Sequence, residues 1–189
     1  WRNLSTHYLV DTLGMDNTDA VWDLKFDPAG NLYVEIGRPS NRLWIIDSAL
    51  THVYAVEPIQ PGFYDEIAID TAGRIWRSIV DDPGGLVMTD TRKTLFNTND
   101  DDYYIYSMND GLLSNYIRGC VLDGDNRLYL ATDAGLSVHN GQNFENYTGF
   151  TDAELLDVAR DSAGRIWLLS RSGIYYMDPF YKTIQGWRW

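Results

Sequence analysis

The sequence predicts an all-β fold, a β-propeller built of four-stranded antiparallel blades, on three observations. A pattern of five columns recurs four times along the chain. Each copy holds short apolar runs separated by turn residues, and no stretch carries the 3.6-residue apolar period of a helix. Four blades are visible, and the expectation is that they form part of a larger propeller, since four is the low end of the range for closed rings.

The four copies are 21–36, 64–79, 117–132 and 155–170. Each holds an Asp at the same place (Asp27, Asp70, Asp123, Asp161), spaced 43, 53 and 38 residues apart. Three residues after it stand Gly30, Gly73, Asn126 and Gly164; five after it, Leu32, Ile75, Leu128 and Ile166. Six after it come Tyr33, Trp76, Tyr129 and Trp167, and three before it Leu24, Ile67, Cys120 and Val158. An Asp side chain closes a turn on a backbone N–H two residues on, and Gly or Asn tolerates positive φ, so Asp-x-x-Gly between apolar runs is a hairpin. A third run follows in each copy (LWIID, LVMTD, LSVHN, IYYMD), then a more polar fourth (THVYAV, TRKTLFNT, QNFENYT, FYKTIQGW). The blades are therefore expected at about 20–56, 63–99, 115–149 and 153–187, with an insertion at 97–111 between the second and third. Residues 1–8, WRNLSTHY, resemble the fourth-strand segment FENYTGF and read as the outer strand of an adjoining blade.

Composition supports a packed domain. Of 189 residues 44% are hydrophobic and 14% aromatic, enough apolar surface to offset chain entropy. The net charge of −12 repels nucleic-acid phosphates and anionic lipid, which excludes both as partners. No apolar run approaches the roughly 18 residues of a membrane span, so direct membrane insertion of this segment is not expected. The single cysteine excludes an internal disulfide and a multi-Cys zinc site. The chain opens at Trp1 with no visible signal peptide, which reads as a processed or excerpted piece.

The stretch 109–148 resembles the two-component regulator propeller repeat of bacterial sensor ectodomains. Asp110-Gly111-Leu112, Ser114 and Asn115 match its first element; Ile117 and Cys120 the next; then Asp123, Asn126, Leu128 and Tyr129; then Thr132, Gly135 and Leu136; and finally Phe144 and Tyr147. The fourth copy matches at Asp161, Gly164, Ile166, Trp167, Gly173 and Ile174, whereas the first two diverge after the hairpin, where GRPSNR and VDDPGG stand. The resemblance implies an extracytoplasmic propeller, periplasmic or extracellular, of a sensor-like or surface protein, which senses polysaccharide fragments in that family. Related repeats also occur in secretion-associated propellers.

No catalytic, metal-binding or cofactor motif emerges. Cys120 shares its column with Leu24, Ile67 and Val158 and reads as a small core residue. His7, His52 and His139 lack metal-ligand spacing and read as surface residues, and DGDN and NDDD lack the rest of a calcium loop. The repeated Tyr33, Trp76, Tyr129 and Trp167 read as packing between blades, and Trp22, Leu24 and Phe26 as one face of an inner strand.

In a blade that runs up and down, the second-to-third-strand loops share a face with the blade-to-blade connections. These segments vary from copy to copy, as function-bearing loops on a constant scaffold do. They collect Arg38, Arg42, Phe63, Tyr64, Asp81, Asp82, Tyr103, Tyr104, Tyr106 and Arg171. Aromatics beside Asp and Arg suit a glycan, peptide or protein ligand. The leading reading is a non-enzymatic binding module. The alternatives are an assembly subunit that packs on other subunits through faces or edges, and a propeller lyase or lactonase using Asp23, Glu66, Arg118 and Asp157 of the inner strands.

Overall fold

The computed structural model describes residues 20–37, 41–56, 59, 62–95, 97–178 and 183–188. Within them sixteen strands form four antiparallel sheets, each ordered as in the sequence. The first blade is β1 (Val21–Phe26), β2 (Leu32–Ile36), β3 (Leu43–Ile46) and β4 (Val53–Val56). The second is β5 (Tyr64–Ile69), β6 (Arg74–Ile79), β7 (Gly85–Asp90) and β8 (Asp102–Tyr106). The third is β9 (Ile117–Leu122), β10 (Leu128–Thr132), β11 (Gly135–His139) and β12 (Phe144–Tyr147). The fourth is β13 (Leu155–Arg160), β14 (Ile166–Ser170), β15 (Gly173–Asp178) and β16 (Thr183–Arg188). The outer strand expected at residues 1–8 lies outside the described residues.

The repeated Asp does more than close its hairpin. Its Oδ1 accepts the backbone N–H four residues on, at 2.8 Å in the first blade, 2.9 Å in the second and third and 3.0 Å in the fourth. Gly30, Gly73, Asn126 and Gly164 hold φ of 85°, 86°, 61° and 86° between them, where glycine is least strained. Oδ2 then takes a hydrogen from the aromatic six residues on: Tyr33 Oη at 3.3 Å, Trp76 Nε1 at 3.3 Å, Tyr129 Oη at 3.1 Å and Trp167 Nε1 at 2.8 Å. This explains why the column holds Tyr or Trp and never Phe: a ring buried here needs a donor for the carboxylate that faces it.

Blades pack through the face that each turns to its successor (trailing) and the face turned to its predecessor (leading). Between the third and fourth, Tyr129, Ala131, Leu136 and Val138 meet Leu155, Val158, Ile166, Leu168 and Met177. Between the second and third, Trp76, Leu86 and Met88 meet Ile117, Cys120 and Leu130. Between the first and second, Tyr33, Leu43 and Ile45 meet Ile67 and Ile75. Cys120 is a buried core residue, and burial pushes its thiol well up.

Four expectations need correcting. The fourth strand of the second blade is Asp102–Tyr106, so that blade runs to 106 rather than 99. TRKTLFNT contains instead two positive-φ residues, Arg92 and Lys93, in a long turn between β7 and β8. Thr94 Oγ1 donates to Asp100 across that turn at 2.9 Å. His139 is not on the surface: it is buried among Trp76, Tyr106 and Phe144, with centroids 4.9–5.4 Å away, and burial lowers its pKa. Trp22, Leu24 and Phe26 do not form a buried face, since all three are exposed on the first blade. Finally, Tyr33, Trp76 and Tyr129 are each 1% exposed whereas Trp167 is half-buried, because among the described residues a following blade covers only the first three.

Candidate functional site

Strand alternation places two sets of loops on opposite faces. The Asp hairpins and third-to-fourth-strand turns make one face, the turn face. The other, the loop face, carries 80–85, 107–116, 132–135, 148–154 and 170–173, together with the described parts of 37–42 and 57–63.

At the loop-face end every inner strand is interrupted by a bulge. The register slips between Val21 and Asp23, between Tyr64 and Ile67, opposite Ala131 and Thr132 in β9, and between Leu155 and Asp157. In each blade the residue five before the repeated Asp lies out of the ladder, Trp22, Asp65, Arg118 and Leu156, and in the second blade Glu66 lies out with it, its N–H bonded to Ser78 Oγ at 3.0 Å. Bulges re-aim a side chain, and they recur beside functional sites for that reason. No other inner-strand column described here mixes an aromatic, an acid, a base and an aliphatic. That absence of common chemistry is the signal by which the sequence would have pointed to it.

Two clusters grow from this column. Trp22 lies 5.9 Å from the Phe63 ring and covers Gly37, where any Cβ would collide with the indole. Arg118 Nη2 reaches Glu154 Oε1 at 3.0 Å, and Arg171 Nε reaches Glu154 Oε2 at 2.9 Å. Two guanidinium groups on one carboxylate hold its pKa below the usual range, with the Arg171 hydrogen bond the largest cause. The loops themselves are tied down. Asn115 Nδ2 donates to Pro83 O at 2.8 Å while its Oδ1 accepts Met108 N at 2.8 Å, linking the 80–85 loop to the 107–116 connection. Thr132 Oγ1 and Ser170 Oγ each donate to the carbonyl three residues on, closing the short turns before β11 and β15.

Beneath the bulges the inner edge is acidic. Asp23 Oδ1 accepts Lys25 Nζ at 2.9 Å, and Oδ2 accepts Ile67 N of the next blade at 3.1 Å. Glu66 is pushed up to about 7, first by burial and then by the Asp23 charge, with Lys25 opposing. Among the described residues no group of three His, Cys, Asp or Glu side chains is placed to hold a metal.

The expected ligand-binding residues are only partly brought together. Arg171 stands on the loop face in the Glu154 network, and Asp81 and Asp82 lie on the same face in the 80–85 loop. Arg42, half-buried, precedes β3 there, and its carbonyl accepts Ile36 N at 2.9 Å. Arg38 lies outside the described residues. Tyr64 is not available to a ligand: it is 1% exposed, with the Arg77 guanidinium 3.8 Å above its ring. Its column opens each inner strand, and Ile117 and Leu155 are buried there as Tyr64 is, whereas Val21 of the first blade is exposed. Tyr103 and Tyr104 are exposed but sit mid-strand in β8 at the outer edge, away from the loop face. Glu154, Trp22 and Asp65 escaped sequence reasoning as candidates.

No family model and no curated protein matches the chain. Solved structures do. The extracellular domain of BT4673, a hybrid two-component system of B. thetaiotaomicron, aligns at a TM-score of 0.71 and 18% identity, covering 89% of this chain and 24% of that one. PorZ, a surface component of the type-IX secretion system of Porphyromonas gingivalis, aligns at 0.66 and 14%, covering 89% and 27%. A streptogramin B lyase aligns at 0.68 and 10%, covering 89% and 54%. The chain thus spans about a quarter of the length of the first two. At these identities the likeness establishes the fold, and that fold is a β-propeller, in keeping with the repeat's resemblance to two-component regulator propellers.

Proposed function

We propose that this chain is a non-enzymatic ligand-binding module of an extracytoplasmic bacterial protein, periplasmic or extracellular, whose loop face takes a carboxylate-bearing glycan or peptide. One observation carries the reading: the bulge that turns four unlike side chains out of four like strands. A scaffold that repeats its core columns so closely has no packing reason to vary this one. Trp22 with Phe63 offers a surface for stacking a sugar or an aromatic side chain. Arg118 and Arg171 offer forked donors suited to a carboxylate, with Glu154 holding both guanidinium groups in place. The neighbours that are extracellular domains of hybrid two-component systems and an auxiliary nutrient-binding protein of Bacteroides ovatus support binding as the role and an extracytoplasmic setting.

The lyase reading draws on the lyase neighbour and on the raised Glu66, but no described histidine lies on the inner edge to share proton transfer with it. The assembly reading concerns the blade faces and is compatible with a ligand on the loop face.

The test is a panel of uronic-acid oligosaccharides and acidic peptides read by tryptophan fluorescence. A hit whose signal is lost in Trp22→Phe supports the loop face. A hit that Trp22→Ala binds unchanged places recognition elsewhere.

A further inference from the structure

The turn between β11 and β12 belongs to the third blade, which has a blade packed on each side, and its chemistry differs from that of its three equivalents. At the end of the third strand stand Asp47, Asp90, Asn140 and Asp178, so this blade alone carries an amide there. The next residues are Ser48, Thr91, Gly141 and Pro179, and Asn140 is the only asparagine of the chain followed by Gly. The N–H of a residue without a Cβ is the backbone nucleophile least hindered from closing on the side-chain carbonyl carbon before it. Nothing lies within 4 Å of where a Cβ on Gly141 would stand, and Asn140 and Gly141 are both exposed, so a ring has room to close and water reaches it.

Three contacts favour that closure. Asn140 Oδ1 accepts Gln142 N at 3.0 Å and Asn143 N at 2.9 Å, two donors already aimed at the oxygen that gains charge when Cγ is attacked. Gly141 N–H, the nucleophile, donates to His139 Nδ1 at 3.3 Å. A backbone amide only donates, so Nδ1 is the unprotonated ring nitrogen and stands where it can take that hydrogen. The imidazole is 3% exposed and faces Arg74 and Trp76 of β6, Tyr106 of β8 and Phe144 of β12. Burial first and the Arg74 charge second lower its pKa, which keeps it a neutral base at neutral pH; Arg74 is itself paired with Asp70.

We propose that Asn140-Gly141 is a self-modifying site, at which His139 takes the hydrogen of Gly141 N as that nitrogen closes on Asn140 Cγ. The N–Cγ bond forms and the Cγ–Nδ2 bond breaks. Nδ2 leaves as ammonia, carrying the hydrogen that Gly141 gave up, which His139 passes back through water. Water then opens the five-membered imide at either carbonyl and leaves Asp, or its β-linked isomer, at position 140. The Asp product restores the residue that the other three blades carry. Asp47 Oδ1 accepts His52 N at 3.0 Å and Asp90 Oδ1 accepts Arg92 N at 2.9 Å, much as Asn140 Oδ1 accepts its two donors, so the turn suits a carboxylate equally well. The β-linked isomer instead adds a methylene to the backbone beside the His139–Phe144 pair that opens the β11–β12 ladder.

Peptide-mapping mass spectrometry of the full chain tests this, following the mass gain of an amide turned to a carboxyl while the protein is held at physiological temperature at pH 7 and pH 8. The same chain unfolded in urea is the reference. Conversion is expected at Asn140 ahead of every other asparagine, and at pH 7 at least about tenfold faster in the folded chain than in urea. In urea, where hydroxide takes the hydrogen, the rate should climb about tenfold from pH 7 to pH 8; in the folded chain it should stay nearly level, since a neutral His139 is the base at both. His139→Phe, whose ring packing circular dichroism checks, should fall back to the slow, pH-dependent rate. The wild-type profile needs no variant and decides the matter even where His139→Phe does not fold. Folded protein that converts more slowly than the urea-unfolded chain overturns the proposal. So does a folded rate that climbs with hydroxide, or a folded His139→Phe that converts as fast as the wild type.

Discussion

Glu35 and Arg77 meet between the first and second blades in a two-pronged ion pair, Nε to Oε2 at 2.8 Å and Nη2 to Oε1 at 2.6 Å. Neither side chain is more than 1% exposed. The equivalent positions are Ser78 with Leu130 at the next interface and Ala131 with Leu168 at the one after. A charge pair thus replaces small-plus-aliphatic packing at one of three like interfaces, and the guanidinium carbon lies 3.8 Å from the centre of the Tyr64 ring.

Removing one partner leaves the other charge buried alone, so Glu35→Ala is expected to cost about 3–5 kcal/mol. The double change Glu35→Ala with Arg77→Leu rebuilds the interface as the third and fourth blades make theirs. It is expected to recover most of that loss or exceed the wild type. Urea denaturation of the wild type and the two variants measures both.

Glu66 gives a pH effect of opposite sign to most acids. Its folded pKa, about 7, stands above the roughly 4.3 of an unfolded Glu, so its contribution is full below pH 4 and is lost as pH rises through 7. Glu66→Gln should therefore stabilise the protein at pH 8 by on the order of 1–2 kcal/mol and change little at pH 4. Thermal melts at the two pH values check this.

Asp161 acts in the usual direction. Hydrogen bonds, first from Trp167 Nε1, hold its pKa to about 2, below the roughly 3.9 of an unfolded Asp. Its contribution is present above pH 4 and is lost as pH falls toward 2. Asp161→Asn should flatten the acid limb of the stability curve over that window, and it should unquench or shift Trp167 emission at neutral pH.

The hairpins were legible because their cause is local: Asp, Gly and the aromatic lie within seven residues of one another. What escaped was set at a distance or by count. TRKTLFNT reads as the fourth strand and DYYIY as part of an insertion, and only the long turn closed by Thr94 and Asp100 decides that DYYIY is the one that pairs with β7. Tyr64 stands where the 57–63 connection meets β5, and only its burial beneath the Arg77 guanidinium separates a core ring from a loop aromatic. Glu35 and Arg77 lie 42 residues apart and carry no local signal of their meeting. Trp22 and Arg118 were visible as residues, but the bulge that sets them apart is a property of pairing, which appears only when both strands are placed.

The loop-face claim is tested most directly by calorimetric titration of the oligosaccharide or peptide that scores in the panel. It is titrated against the wild type, the double variant Arg118→Ala with Arg171→Ala, and the turn-face variant His52→Ala. A hydrogen bond to a charged group is worth about 1.5–3 kcal/mol, so the arginine variant should bind at least about tenfold more weakly while His52→Ala binds as the wild type does. Unchanged affinity in the arginine variant, or a loss in His52→Ala alone, would contradict the assignment of the loop face as the binding surface.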